Sequence, residues 1–358
     1  MIAEICFTTD WLDKKRKELK GVDPSLLERA LHAFALLGHL AESDLKFVFK
    51  GGTSLLLHVP KIRRLSIDID ILCSAPAAEL DRILKEVAKV GPFTDYEEHN
   101  RGARGLPERR HFKFFYKPLV AGNPDPYVLL DVVEEPEAPH EVVTKPITPQ
   151  ILEIGREILV TVPTIESLLA DKLTAFAPHT VGVPVTRTDG KAVETMQIMK
   201  QLFDVGELFS LARDLEEVRT VYTRVFELEN SYRDGQFSKI DALRDTLDMS
   251  LRFCLSGYKG ALKHADVTLL EEGRRKLEGH LVDHRFDQQA AKIAAAKAGL
   301  LARLILTEAK PELLFESQAV PAPEKIRPLE ITGGMHHLNR LKAINPEAFW
   351  YWYQASGL

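Results

Sequence analysis

Two short apolar segments flank a pair of adjacent glycines between residues 45 and 72, and the second segment carries a charge at alternate positions. The first segment, residues 45–50 (LKFVFK), predicts a strand that Gly51 and Gly52 end, and residues 53–58 predict the start of a helix. The second, residues 65–72 (LSIDIDIL), alternates isoleucine with Asp68 and Asp70. Residues two apart on a strand share a face, so we expect both carboxylates on one face and the isoleucines on the other.

The first half of the chain alternates helical and strand-like patterns in the order αβαβαββ, which predicts an α/β (α+β) fold. Asp23 and Pro24 predict the start of a helix, residues 77–90 predict another, and residues 110–117 and 127–135 predict strands, the second of them buried. Four prolines between positions 136 and 149 favour a surface connector without regular structure. One more strand, EILVTV, precedes Pro163, and the remaining patterns are almost entirely helical.

Length and composition indicate a globular protein of two domains. A chain of 358 residues exceeds the usual size of one hydrophobic core, so we place domains at residues 1–163 and 164–358. Hydrophobic residues make up 45% and charged residues 28%, without an apolar run long enough to span a membrane. The N-terminal basic cluster follows its apolar segment, which is not the order of a secretory signal, so we expect a cytoplasmic location. Three scattered cysteines predict buried, reduced thiols and no structural zinc site.

Two segments have more than one interpretation. Residues 101–117 contain six Lys/Arg residues and one glutamate, which fits either a solvated loop with an edge strand or a basic surface for phosphates or RNA. In the second interpretation, RNA phosphates would be attracted by Arg104, Arg109, Arg110 and Lys113. The five consecutive aromatics at 349–353 favour docking onto the helical domain as core, with a base-stacking platform as the alternative.

The two aspartates repel each other and therefore need a compensating partner. At roughly 6.6 Å apart on one strand face, two such charges cost about 2 to 3 kcal/mol at an effective dielectric near 20. A third carboxylate, Asp131, interrupts the apolar VLLDVV. Oxygen ligands of this kind select Mg²⁺ or Mn²⁺, and a glycine turn brings backbone N–H groups close to phosphate. The pattern favours phosphoryl or nucleotidyl transfer, and an exposed edge strand with aspartates in water is the alternative.

These residues resemble the minimal nucleotidyltransferases of the DNA polymerase β superfamily. The matching positions are Gly51, Gly52, Thr53, Arg64, Ser66, Asp68, Asp70 and Asp131. More closely, the chain is similar to the AbiEii/AbiGii toxin family, which includes the MenT toxins. A second motif resembles DKLTAF, with Lys172, and a third resembles KQLFDVGEL, with Asp204, so the resemblance spans residues 40–215. The chain departs from the family in a longer spacing from Gly52 to Asp68, and in Lys200 and Gln201 where an Arg-Asp pair is common.

The resemblance implies a polymerase-β-like domain with a mixed sheet and a helical domain that contributes to the same cleft. It implies Mg²⁺- or Mn²⁺-dependent transfer of a nucleoside monophosphate from an NTP to the 3′ end of tRNA, by a toxin that a separately encoded antitoxin restrains. Asp68 and Asp70 would bind metal, with Asp131 as a third ligand. Lys172 would contact phosphate, and Asp204 would support the acceptor or serve as base. The triphosphate would be bound by Gly51, Gly52, Thr53, Arg64 and Ser66.

Other interpretations remain open at this point. Lys172 lies at the margin of an apolar helical stripe, where a lysine is ordinarily a surface residue. Asp204 fits an i,i+4 ion pair with Lys200. His179 and Arg187, in the irregular loop 177–191, are candidates for nucleotide contacts or ordinary loop residues. The acceptor could be a protein or a small molecule, or the fold could bind nucleotide or RNA without turnover.

Overall fold

The structure, a computed structural model, describes residues 1–20, 22–99, 109–122, 125–134, 138–185, 195–258 and 264–358. The chain forms two compact units. The first, here called the sheet unit, comprises Met1–Thr164 and Gly279–His284. The second, the helical unit, comprises Ile165–Glu278 and Arg285–Leu358.

A mixed five-stranded sheet lies at the centre of the sheet unit. The strand order is β1-β2-β5-β4-β3, with β2 and β5 parallel and the other neighbouring pairs antiparallel. The predicted mixed α/β class is therefore confirmed. The strands are β1 (Val48–Lys50), β2 (Ile69–Leu72), β3 (Phe93–Glu98), β4 (Arg109–Tyr116) and β5 (Tyr127–Val133).

Two helices pack on one face of this sheet. Tyr116 on β4 stacks on His32 of α2, with ring centroids 3.6 Å apart, and Arg110 on β4 binds Asp81 of α4. Because successive strand residues point to opposite faces, the odd-numbered residues of β4 lie on the face away from these helices. The helices of the sheet unit are α1 (Thr9–Glu18), α2 (Pro24–Glu42), α3 (Gly51–Ser54) and α4 (Ala77–Val87).

The first long helix begins as its sequence predicts. The Asp23 side chain accepts hydrogen bonds from the backbone N–H groups of Ser25 and Leu26, and Pro24 is the first helical residue. An aspartate cap satisfies two of the N–H groups that a helix start leaves without partners, and proline has none to satisfy. The predicted cap is therefore confirmed.

A second, two-stranded sheet shows that the predicted connector at 136–149 is in part wrong. Antiparallel strands β6 (Val142–Pro146) and β7 (Leu159–Pro163) form this sheet. Proline is tolerated in β6 because that strand pairs on one side only and Pro146 is its last residue. The predicted strand EILVTV corresponds to β7.

Two further differences concern strand patterns. The predicted order omits β3, since its sequence FTDYEE has a single buried residue and reads as a polar loop. Strand β2 begins at Ile69, so Asp68 lies one residue before the strand and not within it. The isoleucines of β2, Ile69 and Ile71, are fully buried as expected.

The segment Gly279–His284, here called the return segment, belongs to the sheet unit although both of its flanks belong to the helical unit. Its backbone pairs with the chain just before the two aspartates. Leu65 N–H donates to His280 O and Val282 N–H donates to Arg63 O, each at 2.8 Å. The return segment thus fixes residues 63–65 by main-chain hydrogen bonds.

The helical unit packs around α10, in which small side chains allow close approach. A β-carbon on Gly206 of α6 would lie 2.9 Å from the Ala294 Cβ of α10. Helix α10 packs against α6, α8 and α14, and α5 packs against α6 and α7. The helices are α5 (Ile165–Ala175), α6 (Thr195–Phe209), α7 (Leu215–Ser231), α8 (Lys239–Leu255), α9 (Ala265–Leu277), α10 (Gln288–Leu306), α11 (Glu312–Gln318), α12 (Pro323–Ile326), α13 (Leu341–Ile344) and α14 (Pro346–Ser356).

The aromatic C-terminal segment docks as core. Phe349, Tyr351 and Trp352 of α14 are buried. A β-carbon on Gly299 of α10 would lie 2.6 Å from the Trp352 ring, so the glycine makes room for the indole. The Trp350 indole N–H donates to Ser317 O at 3.0 Å. These contacts confirm the core interpretation of the aromatic run.

The three cysteine side chains are buried, as the sequence predicts. Cys6, Cys73 and Cys254 are free and buried, and burial raises the pKa of each thiol. Among the helices within the described ranges, none combines the length and the apolar character needed to cross a membrane.

Candidate active site

The glycine turn after β1 is in tight contact with Asp70. Gly51 has φ +80°, a conformation that favours glycine. A β-carbon at this position would lie 2.1 Å from Asp70 Oδ2 and 2.9 Å from Asp70 Cγ. Both the backbone angle and the approach of Asp70 therefore require a residue without a side chain.

Gly52 is lined by two of the predicted triphosphate contacts. A β-carbon on Gly52 would lie 2.7 Å from Arg64 Nη2 and 3.1 Å from Ser66 Oγ. The next residue, Thr53, donates its hydroxyl to the Asp68 carbonyl oxygen at 2.5 Å. The sequence-predicted residues of the first motif thus meet at one place in the sheet unit.

Arg64 is a nearly buried cation, with 5% of its surface exposed. Its backbone forms an isolated bridge with Leu281 of the return segment, and its guanidinium Nη1 donates to Leu65 O at 3.3 Å. Because the return segment holds this backbone, the guanidinium is positioned beside Gly52 by a part of the chain more than 200 residues away in sequence.

Four polar residues lie side by side on four neighbouring strands, on the face of the sheet away from α2 and α4. Lys50 is the register partner of Asp70, Asp70 is the partner of Asp131, and Asp131 is the partner of His111. We call these four residues the polar row. Register partners on neighbouring strands have their side chains on the same face. The sheet therefore brings Asp70 and Asp131 side by side, as the prediction of a shared site requires.

Asp131 has a hydrogen-bonding partner that the sequence did not suggest. His111 Nδ1 lies 2.6 Å from Asp131 Oδ1, and the two side chains are 13% and 22% exposed. Asp131, the proposed third metal ligand, therefore has one carboxylate oxygen hydrogen-bonded to His111. A signal for His111 does exist in RHFKFFYK, where it is a polar residue at an alternate position of a strand.

The donor set fits a magnesium site made by protein and substrate together. Asp68, Asp70 and Asp131 offer hard oxygen ligands, and Asp68 and Asp70 are partly exposed. Within the described ranges, no three His, Cys, Asp or Glu side chains are grouped closely enough to hold a metal ion by themselves. Mg²⁺ ordinarily binds one or two carboxylates plus substrate phosphates, so such a closed group is not required. Asp68 and Asp70 are the residues that would hold the ion.

A histidine near the glycine turn is held in the neutral form. Burial, together with the neighbouring positive charge of Lys145, lowers the pKa of His58 to about 4. The Lys145 ammonium donates to the Leu57 carbonyl oxygen at 3.2 Å. His58 is therefore uncharged at neutral pH.

Two predicted site residues lie in the helical unit, and both are buried. Lys172 on α5 is 6% exposed and its Nζ is 3.8 Å from Asp171 Oδ2; Asp204 on α6 is 1% exposed. The interpretation of Lys172 as a surface lysine is therefore wrong. Helices α5 and α6 pack against each other, so the structure places both residues in one helix pair.

The basic segment is partly neutralised where the structure describes it. Arg110 binds Glu98 at 2.8 Å and Asp81 at 2.7 Å, and the hydrogen bond from Arg110 lowers the pKa of Glu98. Lys113 binds Glu97 at 3.0 Å. Arg109 is exposed, and Arg104 lies outside the described residues. Two of the four residues proposed to attract RNA are thus already paired with carboxylates.

His179 is also paired with acidic groups. Its Nδ1 is 2.8 Å from Asp245 Oδ1 and its Nε2 is 3.3 Å from Asp266 Oδ2. The hydrogen bond to Asp245 raises the pKa of His179. These contacts tie the loop after α5 to α8 and α9, which favours the ordinary loop interpretation. The other loop candidate, Arg187, lies outside the described residues.

Comparison of the sequence with known protein families gives both the family and the class of enzyme. The family model described as nucleotidyl transferase AbiEii toxin of the type IV toxin–antitoxin system matches residues 35–294. The chain therefore belongs to the AbiEii nucleotidyltransferase toxin family, which confirms the resemblance seen in the motifs. A search of curated proteins gave no match.

Similar solved structures are remote in sequence. JHP933 from Helicobacter pylori is 17% identical with a TM-score of 0.41, covering 78% of this chain and 93% of that one. MenT4, a nucleotidyltransferase toxin from Mycobacterium tuberculosis H37Rv, is 15% identical with a TM-score of 0.45, covering 84% and 99%. An antigenic nucleotidyltransferase-like protein from Paracoccidioides brasiliensis is 14% identical with a TM-score of 0.37, covering 58% and 89%.

Proposed function

We propose that this nucleotidyltransferase transfers a nucleoside monophosphate from an NTP to the 3′ end of tRNA in a Mg²⁺-dependent reaction, as the toxin of a toxin–antitoxin pair in the cytoplasm. The observation that carries the proposal is the contact between the Gly51-Gly52 turn, Asp70, Arg64 and Ser66. It brings a glycine backbone, a carboxylate, a hydroxyl and a nearly buried cation together at one point.

The residues of the turn are suited to hold a triphosphate. The Arg64 guanidinium and the Ser66 hydroxyl flank Gly52, so both can donate hydrogen bonds to phosphate oxygens. Arginine holds such oxygens in a fixed planar geometry, and the return segment fixes its backbone. Asp68 and Asp70 would bind the magnesium ion, which would stabilise the attacking and leaving oxygens of the displacement.

The helical unit supplies the remaining proposed roles. The Lys172 ammonium would stabilise negative charge on the departing pyrophosphate, since a fixed charge acts most strongly where charge develops in the transition state. Asp204 would orient the acceptor hydroxyl or accept its proton. The assignment of both residues rests on their positions in the family motifs.

Labelling distinguishes the acceptors. The full-length protein is incubated with each α-³²P-labelled NTP, Mg²⁺, total tRNA and cellular protein. Label in the tRNA band supports the proposal, whereas label on protein or a small molecule moves the reaction to another acceptor. An absence of transfer to every acceptor identifies a binding module without turnover.

Matched variants connect the activity to the site. Asp68→Asn and Asp70→Asn should each lower transfer by about a thousandfold or more, since metal clamping contributes several kcal/mol to transition-state stabilisation. Removing one of two repelling charges should leave the melting temperature unchanged or raised. Asp95→Asn, at an exposed position on β3, is the control and should keep full activity. A large loss of melting temperature in the site variants would indicate a structural role instead.

A further inference from the structure

His111 occupies a distinct place in the polar row. It is the register partner of Asp131, which in turn is the partner of Asp70, so the three side chains succeed one another across β4, β5 and β2. His111 is 13% exposed and its Nδ1 is 2.6 Å from Asp131 Oδ1. The histidine is thus a neighbour of the acidic residues on the same face of the sheet, at the end of the row opposite Lys50.

The hydrogen bond restricts how Asp131 can act. A carboxylate on a free side chain rotates about its χ angles, whereas a carboxylate with one oxygen bound to a rigid ring has a fixed plane. With Oδ1 bound to His111, the second oxygen is the one available to a cation shared with Asp70. Outer partners of this kind orient the carboxylates that bind metals, and their loss typically weakens metal affinity.

We propose that His111 is a positioning residue that orients the Asp131 carboxylate for the divalent cation. The inference rests on the proposed function, because it takes the ion at Asp68 and Asp70 as given. It assigns His111 no contact with nucleotide or acceptor: its effect passes through Asp131 alone.

This mode of action predicts an energetic coupling that a double-mutant cycle measures. Mn²⁺ is titrated into the full-length protein saturated with a non-hydrolysable NTP analogue, and free Mn²⁺ is read from its EPR signal against a titration of the analogue alone. The proteins compared are wild type, His111→Phe, Asp131→Asn and the double variant. His111→Phe should weaken Mn²⁺ binding roughly 10- to 100-fold, in line with the usual effect of an outer partner. The same substitution should have no further effect when Asp131→Asn is already present.

Two more variants separate positioning from packing. His111→Asn places an amide N–H near the position of Nδ1, so it should restore most of the Mn²⁺ affinity and the transfer rate. His32→Phe removes a buried histidine whose Nδ1 is 2.8 Å from Glu28 O on the opposite, helix-covered face of the sheet. This control should change the melting temperature and leave Mn²⁺ affinity at the wild-type value.

The outcomes are distinct for the inference and for the function. Unchanged Mn²⁺ affinity in His111→Phe would overturn the inference. So would a loss of affinity that is equal in the presence and absence of Asp131→Asn. In either case, transfer of label by the wild-type protein would still support the proposed function. A His111→Asn variant as weak as His111→Phe would also overturn it. Wild-type protein that transfers label but binds no Mn²⁺ refutes the inference alone. Wild-type protein that neither binds Mn²⁺ nor transfers label refutes both.

Discussion

Gly51 and Asp70 approach so closely that no other residue fits at position 51: a β-carbon there would lie 2.1 Å from Asp70 Oδ2. The contact links the turn that follows β1 to the carboxylate on β2, which is the next strand of the sheet. The glycine turn is therefore needed to let the Asp70 carboxylate lie in its observed position.

Gly51→Ala should lower both stability and transfer. The positive φ costs about 1 to 2 kcal/mol for a residue with a β-carbon, and the contact with Asp70 adds to that cost. The free energy of unfolding is measured in urea and the transfer rate with labelled NTP. Gly122→Ala is the matched control in the same unit, since Gly122 also has positive φ but no atom within 4 Å of its β-carbon position. Equal effects of the two substitutions would show that the contact with Asp70 has no role.

Lys172→Met should lower the transfer rate by about 100- to 1000-fold, the usual effect of removing one group that stabilises transition-state charge. The measurement is single-turnover transfer of label at saturating NTP. Lys292→Met is the control: Lys292 is also a buried lysine of the helical unit, and its Nζ donates to Ser256 O at 2.7 Å. The control should lose stability and keep the rate. A rate unchanged in Lys172→Met would remove this residue from the reaction.

The sheet unit should lose stability on acidification below about pH 6.5. Burial lowers the pKa of His32 and of His58 to about 4 from 6.5, so below pH 6.5 the unfolded chain binds protons that the folded chain does not. Each histidine therefore destabilises the fold progressively as pH falls from 6.5 to 4, by at most about 3 kcal/mol. Urea unfolding between pH 7 and pH 4.5 measures this slope.

The histidine variants test the cause of that slope. His32→Phe and His58→Leu should each flatten the fall in unfolding free energy over this range, since neither new side chain binds a proton. His336→Phe, at an exposed position, should leave the slope unchanged. An identical slope in all three variants and wild type would assign the acid sensitivity to other groups.

The sequence predicted those elements whose periodicity reports burial directly. Helices α2 and α4 and strands β1, β2, β4, β5 and β7 each have an apolar face that meets the core, so spacing alone identifies them. Strand β3 is an exposed edge with a single buried residue, and β6 is a strand between prolines. Strands β3 and β6 form because their backbones pair with a neighbouring strand. The sequence of either strand alone does not predict that pairing.

The site shows the same limit. The motifs identified Gly51, Gly52, Arg64, Ser66 and Asp70, and the structure brings these five together. The alignment of Asp70 with Asp131 depends on the register of two strands about 60 residues apart in sequence, which periodicity does not specify. The hydrogen bond between His111 and Asp131 depends on the register between β4 and β5, and the sequence did not predict it.

The return segment has a practical consequence for anyone who dissects this protein. Six residues encoded far downstream complete the backbone hydrogen bonding beside Arg64. A gene fragment that stops after Thr164 would omit them. Arg64, whose guanidinium lies beside Gly52, would then lose the backbone pairing that holds it. We therefore expect a shortened protein to need residues 279–284 supplied in another way, for example by a designed linker that places them beside residues 63–65.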